Sequence, residues 1–209
     1  MSQPFDLPAF LAGRFPGLTL DGGLFYRWPI GIRFELGGRG PEPTIMALVR
    51  HRAVNLYEGN FGPKDNCVVI AQDWSGGLLP QQPLFAFARS QNIGLRNDPQ
   101  HLDIERQTDD GELDRHTLLW VEQAARSFDY GAVFQAIGNA DHAIEPSVGS
   151  RVYFCNAGTD VILHMYDDRG LDVIARQPEV LVPLYRTFNQ WILDYDRERI
   201  DQVFSALAG

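Results

Sequence analysis

The residues best suited to chemistry in this chain are His164, Asp167, Asp168, Arg169 and Asp172. All lie in one stretch, Val161-Ile162-Leu163-His164-Met165-Tyr166-Asp167-Asp168-Arg169-Gly170-Leu171-Asp172-Val173-Ile174-Ala175, where two apolar-rich runs flank a polar turn. The runs predict two strands joined through Asp168-Arg169-Gly170. Gly170 suits the positive φ of a tight hairpin, and an aspartate there can accept local backbone N–H bonds. Ile162, His164 and Tyr166 share one face of the first strand; Asp172 and Ile174 share one face of the second. A three-residue loop is expected to set Tyr166 opposite Asp172 and His164 opposite Ile174, which makes His164 and Asp172 diagonal neighbours. A carboxylate in that position can orient an imidazole as a general base. No serine or cysteine nucleophile in a motif context accompanies the pair, so no catalytic residue is assigned. The five charged and imidazole groups read first as bracing for a turn, and second as a binding surface.

Other donor sets are weaker. His101, Asp103 and Glu105 alternate along a predicted strand with His116 across a hairpin, and neighbouring strands can bring such ligands to a metal. The same alternation describes the wet face of a strand, which is the reading adopted. Asp141-His142 has no spaced partner. Gly37-Gly38-Arg39-Gly40 lacks the Lys-Ser/Thr or strand–turn–helix context of a phosphate loop. No metal site and no cofactor is expected.

These groups must be positioned by elements that the hydrophobic pattern defines. Asp6 to Phe15 predicts a helix stopped by Pro16-Gly17, and Ile30, Ile32, Phe34 and Leu36 alternate as a half-buried strand. The spacing of Met46, Val49, Ala53, Val54 and Tyr57 predicts a helix from Thr44 to about Tyr57. Val68 to Ala71 reads as a buried strand, followed by a surface loop from Trp74 to Pro83. Asp109-Asp110-Gly111 predicts a turn joining strands at Leu102–Arg106 and His116–Glu122. Asp129 is placed to cap a helix running to Ile137. Strands follow at Val152–Cys155 and Val161–Tyr166. Two helices then end the chain, the first with an apolar stripe from Leu181 to Ile192 interrupted by Pro183 and the second capped by Asp194 or Asp196. The sum is an α+β fold with a mainly antiparallel sheet, flanking helices and two C-terminal helices, in one domain over residues 1–209.

Bulk composition bounds the function. The 209 residues are 44% hydrophobic, with 13 Phe, 7 Tyr and 4 Trp, which predicts an aromatic-rich core. A net charge of −9 opposes nucleic-acid binding and suits a basic partner. Cys67 and Cys155 each adjoin an apolar run and read as small core residues. No signal peptide and no apolar run of membrane-spanning length is found, so a cytoplasmic protein that does not engage the membrane is expected.

Tyr153-Phe154-Cys155-Asn156, the 162–175 segment, Leu184-Tyr185 and Trp191-Ile192-Leu193-Asp194-Tyr195-Asp196-Arg197 together resemble a bacterial family catalogued only as a domain of unknown function. The resemblance spans about residues 115–205, and Arg52-Ala53-Val54-Asn55-Leu56-Tyr57-Glu58 looks similar to the family's N-terminal helix. It brings no reaction and no catalytic residues. The expectation is an acidic protein-binding protein, such as a toxin-neutralising immunity protein, using Asp167, Asp168, Arg169, Asp172 and His164 toward a basic partner. The alternatives are a small hydrolase-like enzyme using His164 with Asp168 or Asp172, and a small-molecule-binding scaffold with its pocket between the sheet and the C-terminal helices.

Overall fold

A computed structural model describes residues 4–38, 41–74, 83–95, 100–107 and 113–208. Helix α1 (Leu7–Arg14) starts at Asp6, whose carboxylate accepts the Ala9 N–H, and strand β1 (Gly31–Glu35) follows a strap of irregular chain. Then come α2 (Glu42–Asn60), β2 (Asn66–Asp73), α3 (Pro83–Ser90), β3 (Gln100–Gln107), β4 (Leu113–Ala124), α4 (Tyr130–Asn139) and β5 (Arg151–Asn156). The chain closes with β6 (Val161–Met165), β7 (Gly170–Ala175), α5 (Val182–Thr187) and α6 (Arg197–Phe204). The seven strands form one sheet in the order β1-β7-β6-β5-β2-β4-β3, and every pairing is antiparallel. The α+β class with a mainly antiparallel sheet is therefore correct. The expected turn at 109–111 and most of the 74–83 loop lie outside the described residues.

Both faces of the sheet are covered, so its central strands lose the polar half of their alternation. On one face Cys67, Val69, Phe154, Leu163 and Val173 pack under α2, α4, α5 and α6. Tyr57 is the centre of that layer, its ring lying against Phe61, Phe128, Tyr130, Phe134 and Phe154 while its hydroxyl donates to Ala125 O at 3.0 Å. On the other face Val68, Ile70, Trp120, Tyr153, Cys155, Ile162 and Ile174 pack under Leu7 of α1 and Phe15, Leu18, Leu20 and Leu24 of the strap. Cys67 and Cys155 are both fully buried, as expected of core residues, and they occupy opposite faces.

Three elements differ from expectation. The apolar stripe from Leu181 to Ile192 is broken into a 3₁₀ turn (Pro178–Leu181), α5, and a second 3₁₀ turn (Asn189–Trp191). Pro183 sits in the first turn of α5, where its missing N–H costs nothing, so the proline delays the helix and does not kink it. Asp196 occupies the N-cap position of α6, yet its side chain makes no capping bond and turns to the strap. The short helix α3, which buries Phe85 and Ala88, was not anticipated, because eight residues show too little periodicity.

Candidate functional site

The β6–β7 hairpin closes through Asp167, Asp168 and Arg169, with Tyr166 N–H bonded to Gly170 O at 3.3 Å. This three-residue loop places Tyr166 opposite Gly170, and the register then sets His164 directly across from Asp172 and Ile162 across from Ile174. The expected register was thus two residues out. A slip of two preserves the faces, which is why the side assignments hold. Gly170 is required for space and not for a positive φ, because a Cβ there would lie 1.9 Å from the Tyr166 hydroxyl.

Direct pairing does not make His164 and Asp172 an acid–base unit. His164 Nδ1 lies 3.0 Å from Val152 O; a carbonyl only accepts, so Nδ1 carries the proton and Nε2 is bare. His164 Nε2 is buried without a partner, and the ring stacks on Tyr153 at 4.2 Å. Burial pushes the imidazole down from 6.5 to about 4, against the opposing pull of the Val152 carbonyl and the Asp172 charge. His164 is therefore neutral at pH 7.

Asp172 is fully buried and its carboxylate is fully occupied. Oδ1 accepts Arg33 Nε at 2.7 Å; Oδ2 accepts Arg33 Nη2 at 3.1 Å and the Phe25 N–H at 3.0 Å. Burial works against the Arg33 charge, and the hydrogen-bonded Asp172 more than offsets it, so the guanidinium is raised above its ordinary value. The Arg33 guanidinium is also enclosed by three rings, Tyr26 at 4.4 Å, Tyr166 at 5.2 Å and Phe25 at 5.5 Å. Its Nη1 lies 3.7 Å from Asp196 Oδ2, and the Tyr26 hydroxyl donates to Asp196 Oδ1 at 2.9 Å. Arg199 of α6 donates to Phe25 O at 3.1 Å and covers the Phe25 ring at 4.4 Å. A buried lattice thus ties β1, β7, the strap and the start of α6 together. A Cβ on Gly23 would lie 2.9 Å from Arg33 Nη2, so glycine lets the strap close over the lattice.

The remaining predicted residues sit at the hairpin tip. Asp167 is buried and accepts the Arg169 N–H at 2.8 Å as well as the Arg169 guanidinium. Asp168 pairs with His142 Nε2 at 3.0 Å, and Arg169 projects outward. Carboxylate oxygens of Asp141, Asp167 and Asp168 come within 4.8 Å of one another. The tip is self-braced, as the turn reading expected, and only Asp168 and Arg169 of the five predicted residues reach the surface. The other donor set does not assemble. His101, Asp103 and Glu105 are exposed, whereas His116 pairs with Ile104 and projects from the opposite face. Arg33 and Tyr26 were not singled out in the sequence, and Asp196 was singled out only as a possible helix cap. The available signal was an arginine on the outward-facing alternation of a strand that ends beside β7.

Two exposed aromatics flank the lattice. Tyr26 is 54% exposed and Tyr195 86% exposed, and Tyr195 is close enough to Tyr26 to act on it electrostatically. Asp194 and Glu198 stand exposed beside them.

A family model described as a domain of unknown function, DUF3885, matches residues 7–196. The match carries the resemblance from about residue 115 back to residue 7, taking in the strap, Arg33 and Asp196, and ends at 196, short of the expected 205. The chain is also similar to an uncharacterised protein, YnaE, of Bacillus subtilis (strain 168), with 24% identity over 213 residues, covering 91% of this chain and 98% of the relative. No solved structure matches the chain. Among the described residues, no helix is long and apolar enough to cross a membrane.

Proposed function

We propose, from the premise that this chain belongs to the DUF3885 family, that it is a non-enzymatic binding protein whose partner is a basic protein, in the manner of a cytoplasmic toxin-neutralising immunity protein. The observation that carries this reading is the exposed pair Tyr26 and Tyr195: Tyr26 is seated on the buried Arg33–Asp172–Asp196 lattice, Tyr195 follows the exposed Asp194 and precedes the buried Asp196, and Glu198 is exposed a turn further on. Tyrosines bury much area on association at little entropic cost, and a rigid support lowers that cost further. Exposed carboxylates around them favour encounter with a basic surface, consistent with the net charge of −9. The hydrolase alternative lacks support. His164 offers no accessible nitrogen, and Asp172 is committed to Arg33 and the Phe25 N–H.

The test is isothermal titration of the purified chain with a basic protein encoded beside its gene. Tight, salt-sensitive binding that Tyr195→Ala weakens at least about tenfold, with an unchanged unfolding temperature, is expected. Absence of binding by the wild-type chain, or equal binding by Tyr195→Ala and Asp194→Asn, would contradict the proposal.

A further inference from the structure

The two ends of the sheet are finished differently. At one end β1 is covered, since Phe34 bridges to Ile192 and the Leu193 N–H donates to Arg33 O at 3.0 Å. At the other end β3 pairs with β4 on its inner side, and no described residue pairs with its outer edge. Alternate backbone N–H and C=O groups of β3 therefore face outward. Natural edges are blunted by proline, lysine, a bulge or short length. Gln100-His101-Leu102-Asp103-Ile104-Glu105-Arg106-Gln107 contains no proline or lysine, and its eight residues pair one for one with Leu113–Trp120. Leu102 is 41% exposed on the strap side of this strand, two residues from Ile104, which packs against the strap-side core.

The order of residues along this edge fits a second copy of itself. Two copies that continue one sheet with their layers level are related by a two-fold axis normal to the sheet. The strands are then antiparallel, and facing residues are both even-numbered or both odd-numbered. Such an axis passes through one residue of β3. Placed at Ile104, it sets Asp103 against Glu105 twice. Placed at Asp103, it sets that carboxylate against its own copy. Like charges directly opposite destabilise a strand pair. Placed at Leu102, it creates no like-charged pair. Leu102 then meets its copy, His101 of each chain faces Asp103 of the other, and each Ile104 lies diagonal to the opposite Leu102. Asp103 is held in place for this contact: its Oδ1 accepts the Thr117 hydroxyl at 2.7 Å, and its second oxygen can accept an imidazole N–H. The alternation that reads as the wet face of a strand is self-complementary in this register.

We propose that the outer edge of β3 is a homodimer interface, in which residues 100–104 of two copies pair antiparallel about Leu102 and join the two sheets into one. The interface lies at the far end of the sheet from β1 and Tyr26, so it leaves the tyrosine surface open and does not depend on it. Five paired residues make a small interface, which sets a dissociation constant of about 10–100 µM. The net charge of −9 on each copy opposes association, and salt at about 0.15 M screens that repulsion beyond about 8 Å.

The test is sedimentation velocity of the full chain from about 10 µM to 1 mM in about 0.15 M salt. A concentration-dependent monomer–dimer equilibrium is expected. Leu102→Lys, which sets two ammonium groups on the axis, should weaken it at least about tenfold with the unfolding temperature unchanged, since the site is at the surface. Asp103→Lys should weaken it as well, and the swap His101→Asp, Asp103→Lys should restore it, because each aspartate again faces a cation. Oxidation of Leu102→Cys should give a disulfide-linked dimer, since directly opposed residues lie about 4.5–5.5 Å apart at Cα and the native cysteines are buried. A chain that stays monomeric at about 1 mM would overturn the proposal. So would a dimer that Leu102→Lys leaves intact, or one in which Asp103→Cys cross-links and Leu102→Cys does not. A monomer whose β3 amides shift only when the basic partner is added would assign the edge to that partner instead.

Discussion

Arg33–Asp172 and Arg126–Glu58 are both arginine–carboxylate pairs, one network on each side of the sheet; Glu58 accepts the Tyr130 hydroxyl directly, and Arg33 is linked to the Tyr26 hydroxyl through Asp196. Their surroundings differ. The side chains of Arg33 and Asp172 are 12% and 0% exposed, and those of Arg126 and Glu58 are 32% and 44% exposed. In the strap-side network each charge has left water, so every lone pair must find a donor, and Asp172 finds three. In the helix-side network water screens the pair, and aromatic packing around Tyr57 holds the layer regardless. Burial, and not the kind of residue, decides which pair the fold depends on.

The comparison is broken most severely by removing one buried partner. Asp172→Ala should cost about 3–5 kcal/mol in urea unfolding, because it strands the Arg33 charge and the Phe25 N–H. The double replacement Arg33→Met, Asp172→Leu should recover part of that loss, since it removes the stranded Arg33 charge but leaves the Phe25 N–H without an acceptor and Asp196 with only the Tyr26 hydroxyl. A cost below about 1 kcal/mol for Asp172→Ala would place the lattice in the same class as a surface pair.

Acid provides the next effect. His164 is neutral in the fold, with its value lowered from 6.5 to about 4. The unfolded chain therefore binds the extra proton first. Stability is full above about pH 6.5 and falls as pH drops toward 4, by about 3 kcal/mol over that window. Unfolding midpoints measured from pH 7 to 4 should decline accordingly, and His164→Gln should flatten this part of the decline. A wild-type profile level through that window contradicts the burial argument.

Smaller effects sharpen the contrast. Tyr26→Phe removes the hydroxyl that meets Asp196 and should cost about 1 kcal/mol by thermal melting. Glu58→Gln breaks its ion pair with Arg126 yet should cost less than about 1 kcal/mol, with most of that loss gone in high salt. If Glu58→Gln proved the costlier of the two, the ranking by burial would fail.

The two sides also differ in how far the sequence reveals them. Met46, Val49, Ala53 and Tyr57 announce α2 by spacing alone, and Asp129 announces the start of α4 by its capping chemistry. Those are local signals. The strap-side lattice joins Phe25 to Asp172 across 147 positions and Tyr26 to Asp196 across 170. Nothing local marks such partners. Asp196 looked like a helix cap because an aspartate before an apolar run usually is one; here Tyr26 and Arg33 draw its carboxylate away. The hairpin was readable with its faces but not its register: the turn was expected at 168–170 and lies at 167–169, because alternation fixes parity and only the turn's own hydrogen bonds fix the pairing.

The central claim is that His164 and Asp172 are architecture and not an acid–base unit. Its most direct test is the ionisation of His164, followed by long-range proton–nitrogen correlation NMR between pH 8 and 4. The account predicts a neutral ring protonated at Nδ1, with no titration until the pH nears about 4 to 5. A ring that titrates near 6.5, or one whose Nδ1–H is bonded to a carboxylate, would contradict it and restore the pair as a candidate acid–base unit.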